Sequence, residues 1–238
     1  MHALPRFPLN RLSAALLVLL AQVAHAQTAP APTTLPTGGQ VVAGQASISS
    51  NGALMTIQQG SARAAIDWQR FNIGAQAQVQ FLQPDAGSVT LNRVLDPNPS
   101  QIFGRLTANG RVFLSNPSGI YFAPGASVNV GALVATTRSM GTAEFMAGAD
   151  AFAPDAARGS IVNLGELHAP GGIALQAGGL IQQGGRVSAD SLTERGGRIV
   201  LEAASIALDA GSQTTADGAS GGGQVLVGGG WQGGGGLQ

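Results

Sequence analysis

From Val41 onward the chain alternates apolar and polar side chains in runs of strand length: VVAGQASIS, ALMTIQQ, AQAQVQFLQ, SVTLNRV, GRVFLS and ASVNVGALVATT. A two-residue period sends successive side chains to opposite faces of a strand. In AQAQVQFLQ it places Gln76, Gln78 and Gln80 on one face and Ala75, Ala77, Val79 and Phe81 on the other. Glycine, asparagine or proline separates each run from the next, as short strands joined by tight turns require. Ser139 to Ala157 (SMGTAEFMAGADAFAPDAA) has some helical character. Gly141, Gly148 and Pro154 work against a helix there, so the stretch reads equally as a loop leaving the strands.

The C-terminal third adds an internal repeat. Gly171-Gly172-Ile173-Ala174-Leu175, Gly197-Arg198-Ile199-Val200-Leu201 and Gly223-Gln224-Val225-Leu226-Val227 follow one another at a lag of 26. The same lag relates Gly159-Ser160-Ile161, Gly185-Arg186-Val187 and Gly211-Ser212-Gln213, and pairs Leu180 with Ile206 and Ala177 with Ala203. A unit with three short strands and three glycine-rich corners cannot bury its own apolar face, whereas stacked copies form one continuous core. The fold expected is all-β, a single-stranded solenoid of the parallel β-helix type, rising about 4.8 Å per coil with Ile, Val, Leu and Ala in inward ladders. A β-sandwich also has many short strands, but nothing in it holds them at a constant spacing in sequence.

The ends of such a stack expose unpaired strand edges. Val41 to about Arg70 is irregular and is expected to form an N-terminal cap, with the β-helix as a whole over 41–227. QTAPAPTTLPTGGQ (27–40) has no apolar period and is expected as a flexible leader, with order beginning near Val41. VLVGGGWQGGGGLQ ends without a capping element, so 228–238 is expected as a glycine-rich tail or the cut end of a longer chain. At the other end Arg6 and Arg11 precede the apolar run Leu12 to Ala24 and then Ala24-His25-Ala26. That run is short of the roughly 20 residues a membrane span needs, and the pattern predicts a secretory signal peptide over 1–26, cleaved after Ala26.

Composition sharpens this picture. All 12 basic residues are arginines, against 12 acidic ones, and removal of Arg6 and Arg11 leaves a weakly acidic chain with no basic stripe for nucleic acid. There is no cysteine, so an exported chain must be held by burial and backbone pairing. Candidate chemistry is sparse. Catalysis by a β-helix lyase or hydrolase, the enzymatic alternative, needs paired carboxylates or a cation site. Asp150 and Asp155 fall in the Ala/Gly-rich excursion, where a solvated loop accounts for them, and Asp190 and Glu194 flank one corner. His168 is the only histidine beyond the predicted cleavage site and reads as a turn residue. Calcium-binding glycine-aspartate repeats and a phosphate-binding loop are absent from the sequence. Trp68, Tyr121 and Trp231 are the aromatic candidates for glycan stacking by a surface adhesin, though core or edge packing suits Trp68 and Tyr121 better. No cofactor, metal or catalytic residue is expected.

Two Asn-Pro turns stand out: Asn98-Pro99-Ser100-Gln101-Ile102 and Asn116-Pro117-Ser118-Gly119-Ile120, with QIFGRL, Ala108-Asn109-Gly110 and GRVFLS between them. Proline fixes φ and asparagine bonds to nearby backbone, so each sharply bends the chain. Read alone, they shape β-coil corners. The ordered set Asn92-Arg93-Val94, Asn98 to Ile102, Gly104-Arg105-Leu106, Ala108-Asn109-Gly110, Val112-Phe113-Leu114, Asn116 to Ile120, Gly125 to Gly131 and Leu133 to Thr137 resembles the N-terminal secretion domain of two-partner secretion exoproteins, the filamentous-haemagglutinin family. One departure is Ser118, where the family usually has asparagine.

The resemblance implies a right-handed parallel β-helix that leaves the inner membrane through Sec export and crosses the outer membrane of a Gram-negative bacterium through a dedicated β-barrel transporter. The transporter's periplasmic domains would read the chain in extended form, before it folds at the cell surface as part of a haemagglutinin or adhesin. A host-cell glycan or receptor is then a further partner, and Asn98, Pro99, Ser100, Gln101 and Ile102 with Asn116, Pro117, Ser118, Gly119 and Ile120 are the expected secretion motif.

Overall fold

The computed structural model describes residues 28–154 and 156–228. The predicted signal peptide and its cleavage site, Asp155, Trp231 and nearly all of the glycine-rich tail lie outside them. The alternating runs become strands of three sheets. The first sheet orders Gln40–Ala43 (β1), Arg63–Trp68 (β4), Val89–Val94 (β6), Arg111–Ser115 (β9), Ala132–Thr136 (β12), Ile173–Gln176 (β15), Arg198–Glu202 (β18) and Gln224–Val227 (β21). The second orders Ser205–Leu208 (β19), Leu180–Gln183 (β16), Ile161–Asn163 (β13), Ile120–Phe122 (β10) and Ser100–Ile102 (β7). The third orders Ala46–Asn51 (β2), Leu54–Gln59 (β3), Gln78–Leu82 (β5), Arg105–Ala108 (β8), Ser127–Asn129 (β11), Glu166–His168 (β14), Arg186–Ser188 (β17) and Gln213–Thr215 (β20). Successive coils pair in parallel, giving the β-helix expected from the repeat.

Inward residues stack rung on rung. Leu133, Ile173, Ile199 and Val225 form one ladder and Ala135, Leu175, Leu201 and Val227 the next. Each fully buried Ile, Val or Leu contributes about 1.5–3 kcal/mol, which is how the stack holds without disulfides. Alternation fails where both faces are covered: in β4, β6 and β9 the middle residues Ala64, Ala65, Ile66, Thr90, Leu91, Val112, Phe113 and Leu114 are all buried. The cover is the chain between β12 and β13, which carries a five-residue helix, Thr142–Met146 (α1), with no side-chain cap. It lays Met140, Phe145 and Phe152 over Ala65, Val89, Leu91 and Phe113, forming a second cluster outside the main core. The Ser139–Ala157 stretch is thus a short helix and a loop together.

Several expectations are corrected. The 26-residue spacing holds from Ala174 to Val200 to Leu226, but Phe113 to Val134 is 21 and Val134 to Ala174 is 40, because the corners differ in length and one holds the excursion. Ile161 and Val187 lie in different sheets, Ile161 pairing with Ile181 and Val187 with Thr214. Leu180 pairs with Ser205, so Ile206 stands over Ile181, a one-residue slip from the lag. A motif as short as Gly-x-apolar recurs at every corner, so a match at one lag does not identify the sheet.

The N-terminal cap is built from strands: β1 runs antiparallel on β4, with a register shift between Val41 and Ala43, and β2 antiparallel on β3, closing the first coil with hairpin-like pairing. The leader is not free either. Thr37 bridges Arg70, Gly74 N–H donates to Thr34 O at 2.9 Å, Gln76 N–H to Pro32 O at 2.8 Å, and Leu35 packs against the main core. A Pro/Thr/Gly segment lacks an apolar period, but as an extended strand-like cover it needs only backbone partners.

Candidate functional site

The two Asn-Pro segments are adjacent corners of successive coils. β7 and β10 pair in parallel, with Ile120 over Ser100, Tyr121 over Gln101 and Phe122 over Ile102. Each corner leads from the first sheet into the second. QIFGRL is two strands broken at Phe103-Gly104, because the chain turns there from the second sheet into the third.

The corners differ in exposure. Asn116 is fully buried. Its amide donates to Asn98 O at 3.1 Å and Ser100 Oγ at 3.0 Å, and its Oδ1 accepts from Ser118 N–H at 2.9 Å. It therefore closes its own turn and ties it to the corner beneath. Ser118 keeps a side-chain bond despite the departure noted above, donating from Oγ to Asp96 O at 3.2 Å. Gly119 has φ of +120°, and a Cβ there would sit 2.7 Å from Ser160 O, so this corner requires glycine.

Asn98 is exposed and satisfied locally: its N–H and amide both donate to Asp96 Oδ1, at 3.0 and 2.8 Å. Asp96 in turn meets Arg70 Nε at 3.0 Å. Beneath β7, Gln101 N–H donates to Asn72 Oδ1 at 2.8 Å and Ile73 N–H to Gln101 O at 2.9 Å. Pro97, Asn98 and Pro117 present the outer surface, while Ser100, Ile102, Gly119 and Ile120 are inside.

A second polar centre supports these corners from the coil below. Asn92 points into the core, accepting from Trp68 Nε1 at 3.0 Å and donating to Phe113 O at 3.2 Å. Next to it Arg93 grips Asp67 with two bonds, Nε to Oδ1 at 2.7 Å and Nη2 to Oδ2 at 3.0 Å. Bidentate geometry of this kind fixes the side chains as well as the charge.

With this arrangement in view, comparison with known proteins is decisive. The family model described as the TPS secretion domain matches residues 32–233. The chain belongs to the family of two-partner secretion (TPS) domains. The HMW1 secretion domain from Haemophilus influenzae has a similar structure, with a TM-score of 0.64 and 25% identity over 81% of this chain and 62% of that one. Two heme/hemopexin-binding proteins of Haemophilus influenzae are similar in sequence. One is 50% identical over 106 residues, 44% of this chain, and the other 42% identical over 135 residues, 56% of it. The matched parts span only 12% and 14% of those relatives' own lengths. The chain is the secretion domain of a two-partner secretion exoprotein.

Elsewhere in this TPS domain the other sequence candidates take structural places. Trp68 is buried against Phe71, with ring centroids 5.4 Å apart and the rings edge to face, and Tyr121 leans on Phe103 at 5.7 Å. His168 is half-buried with Nδ1 3.2 Å from Ser188 Oγ. Asp190 accepts from Ser188 Oγ at 2.7 Å, Thr215 Oγ1 at 2.8 Å and Asp217 N–H at 2.7 Å. Burial alone would raise its carboxyl, but these bonds and Arg186 more than offset that and hold it below the usual carboxylate range. Glu194 is exposed on the neighbouring loop.

Asp150 is no free loop acid. It sits between Arg63 Nη2 at 2.8 Å and Arg111 Nη1 at 2.7 Å. Burial pushes its carboxyl up, and bonds and charge from both arginines more than reverse this, leaving it below its ordinary value. Among the described residues, no three His, Cys, Asp or Glu side chains come close enough to hold a metal ion.

The ion pairs were not foreseen from the sequence, among them Arg93 with Asp67 and Arg138 with Glu202. The latter joins residues 64 apart, with Arg138 Nη2 2.8 Å from Glu202 Oε1 and Nη1 3.2 Å from Oε2. No local pattern pairs residues separated by two coils and an excursion.

Proposed function

We propose that this domain directs export of a longer exoprotein across the outer membrane through a dedicated β-barrel transporter, whose periplasmic domains engage the chain before its coils close. Asn98 to Ile102 and Asn116 to Ile120 are the secretion determinants, with divided roles. The observation that carries this is the burial of Asn116 beside the exposure of Asn98. A side chain that is fully buried can be read only in the unfolded chain, or can act only by closing the two corners once the chain emerges. Asn98 and Pro97 remain accessible throughout. An extended chain offers main-chain groups to a partner's sheet edge, with alternate side chains setting selectivity.

The test is secretion of the full chain with and without the co-expressed candidate barrel, for the parent and for Asn116→Ala, Pro117→Ala and Asn98→Ala. Loss of export for Asn116→Ala with normal refolding of the purified variant assigns recognition; loss of both assigns folding of the corners. Secretion of all three variants at the parent's level overturns the determinant role.

The names of the two sequence relatives favour haem or hemopexin capture, over adhesion to a host glycan or receptor, as the task of the exoprotein. Retention of the full-length exoprotein on immobilised haem or hemopexin tests that task, and retention on neither overturns it. On this reading the secretion domain itself carries no catalysis.

A further inference from the structure

Asparagine followed by glycine occurs twice in the chain, as Asn51-Gly52 and Asn109-Gly110. The pair has a chemistry of its own. The side-chain carbonyl carbon of asparagine can close a small ring with the next backbone nitrogen, and glycine, having no Cβ, leaves that nitrogen unhindered. Where proline follows, as at Asn98 and Asn116, there is no N–H and this route is closed.

The fold treats the two sites differently. Asn51 ends β2 and pairs with Leu54 across the turn Gly52-Ala53. Gly52 has φ of +57°, and a Cβ there would have no atom within 4 Å. Asn51 and Gly52 are both exposed, and among the described residues neither the Asn51 side chain nor the Gly52 N–H has a hydrogen-bond partner. The ring-closing atoms are free to meet.

Asn109 is exposed as well, but Gln83 pins it. Its Oδ1 accepts from Gln83 N–H at 2.8 Å and its amide donates to Gln83 O at 2.7 Å. The nitrogen that would attack, Gly110 N–H, donates to Gln83 Oε1 at 2.9 Å. A Cβ at Gly110 would stand 2.7 Å from Ser88 O, so the backbone has no room to swing. Bonding, and not exposure, separates the two asparagines.

We propose that Asn51 is a site of spontaneous deamidation in the folded domain, and that Asn109 becomes one only while the chain is unfolded. Hydroxide removes the Gly52 N–H proton and the nitrogen attacks Asn51 Cγ. A C–N bond forms there, the Cγ–Nδ2 bond breaks, and ammonia leaves. Water then opens the cyclic imide at either carbonyl, giving aspartate or isoaspartate. One water is consumed and one ammonia released, with no oxidation or reduction.

The product puts a carboxylate where the sheets end. β1 and β2 are the terminal strands of their sheets, and Gln40 to Asn51 carries no charged side chain. Isoaspartate also lengthens the main chain by a methylene beside the Asn51–Leu54 pair. At Asn109 the reaction removes the amide that donates to Gln83 O, so modification there records time spent extended before the coils close. None of this depends on the role of the Asn-Pro corners.

The test holds the purified full chain in mildly alkaline buffer, folded or in urea, and follows it by peptide mapping with fragmentation that separates aspartate from isoaspartate. In the folded chain Asn51 is expected to convert about tenfold faster than Asn109 or more, since the Gln83 bonds must open first at Asn109. In urea the two are expected to convert at comparable rates. Asn51→Gln, which can react only through a larger and slower ring, is expected to reduce ammonia release by the folded chain to background. Asn51 left intact in the folded chain after the urea sample has converted overturns the proposal. So do equal rates at Asn51 and Asn109 in the folded chain, or ammonia release that Asn51→Gln leaves unchanged.

Discussion

The first four coils and the last three are built on the same three sheets but specified differently. In the N-terminal part the interior admits polar residues, each with defined partners. Asn92 bonds Trp68 and Phe113, and Gln83 donates to Arg111 O at 3.0 Å and accepts from Gly110 N–H at 2.9 Å. The outer face there is sealed by the excursion, and the ends are closed by antiparallel strands. In the C-terminal part the first-sheet ladder is aliphatic, the spacing is a regular 26 residues, and the last coil leaves Leu208, Val225 and Val227 exposed. Polar groups buried with full satisfaction fix one register, whereas identical aliphatic rungs tolerate slippage. Buried polar groups continue into the upper coils, where Asn163 donates to Gln183 Oε1 at 2.8 Å, so the two parts differ chiefly in the sealing of the outer face and in the spacing of the first-sheet ladder.

The difference is sharpest in the outer cluster. Phe113→Ala is expected to destabilise by about 3–5 kcal/mol, as for a fully buried aromatic, because two aromatic neighbours and Leu91 lose their contact. Val200→Ala, at the equivalent position three coils higher, is expected to cost less than about 1 kcal/mol, since the side chain is already half in solvent. Paired thermal or denaturant melts check this, and equal losses would remove the distinction between sealed and open halves.

Arg138 with Glu202 is an ion pair that spans the two parts, so it measures their coupling. Arg138 is buried, and its backbone is held as well, with Ser115 Oγ donating to Arg138 O at 2.7 Å. Removing the carboxylate by Glu202→Ala leaves a buried guanidinium uncompensated, which costs about 3 kcal/mol. Hydrogen exchange is expected to report faster opening in β18 and also at the root of the excursion. Acceleration confined to β18 would mean that the two parts unfold independently, as nearest-neighbour stacking alone allows.

The two Asn-Pro corners repeat the contrast at smaller scale. Asn116→Ala strands Asn98 O and Ser100 Oγ and is expected to cost about 1–3 kcal/mol. Asn98→Ala, whose exposed side chain bonds Asp96, is expected to cost about 0.5 kcal/mol or less. Urea midpoints of the two variants separate these values, and a larger effect for Asn98 would reverse the assignment of the inner corner as the structural one.

What was legible in the sequence divides along the same line. Alternation in AQAQVQFLQ gave Val79 and Phe81 their inward side correctly, and Ile173, Ile199 and Val225 do stack, because a strand's period and a coil's spacing are local properties. The order of motifs from Asn92 to Thr137 identified the family even where no spacing was constant. The docking of the leader, the antiparallel pairing within the cap and the outer cluster were not legible. Extended Pro/Thr/Gly chain at 28–40 binds through its backbone, which composition does not encode, and the excursion's partners lie more than 80 residues away in the case of Arg63 and Asp150. The buried runs in β4, β6 and β9 carried the one available signal, since strands apolar on both faces must be covered on both.

The smallest expected effect is a pH dependence that can be assigned to each part separately. Asp150 serves the sealed half and Asp190 the open one, and both carboxyls sit below their ordinary value of 3.8. A carboxyl lowered on folding stabilises fully above its unfolded value, and that stabilisation disappears as pH falls through the lower folded value. Both parts should therefore loosen only below about pH 4 and be insensitive between pH 5 and 8.

Limited digestion with an acid-active protease should follow this fall at 139–160 for Asp150 and around β17 and β20 for Asp190. Asp150→Asn is expected to flatten the first profile and leave the second, and Asp190→Asn to do the reverse. Because both side chains are partly solvated, each change should be modest beside the losses at Phe113 and Arg138. If either variant flattened both profiles, acid would be opening the solenoid as a single unit and the two halves would share one stability.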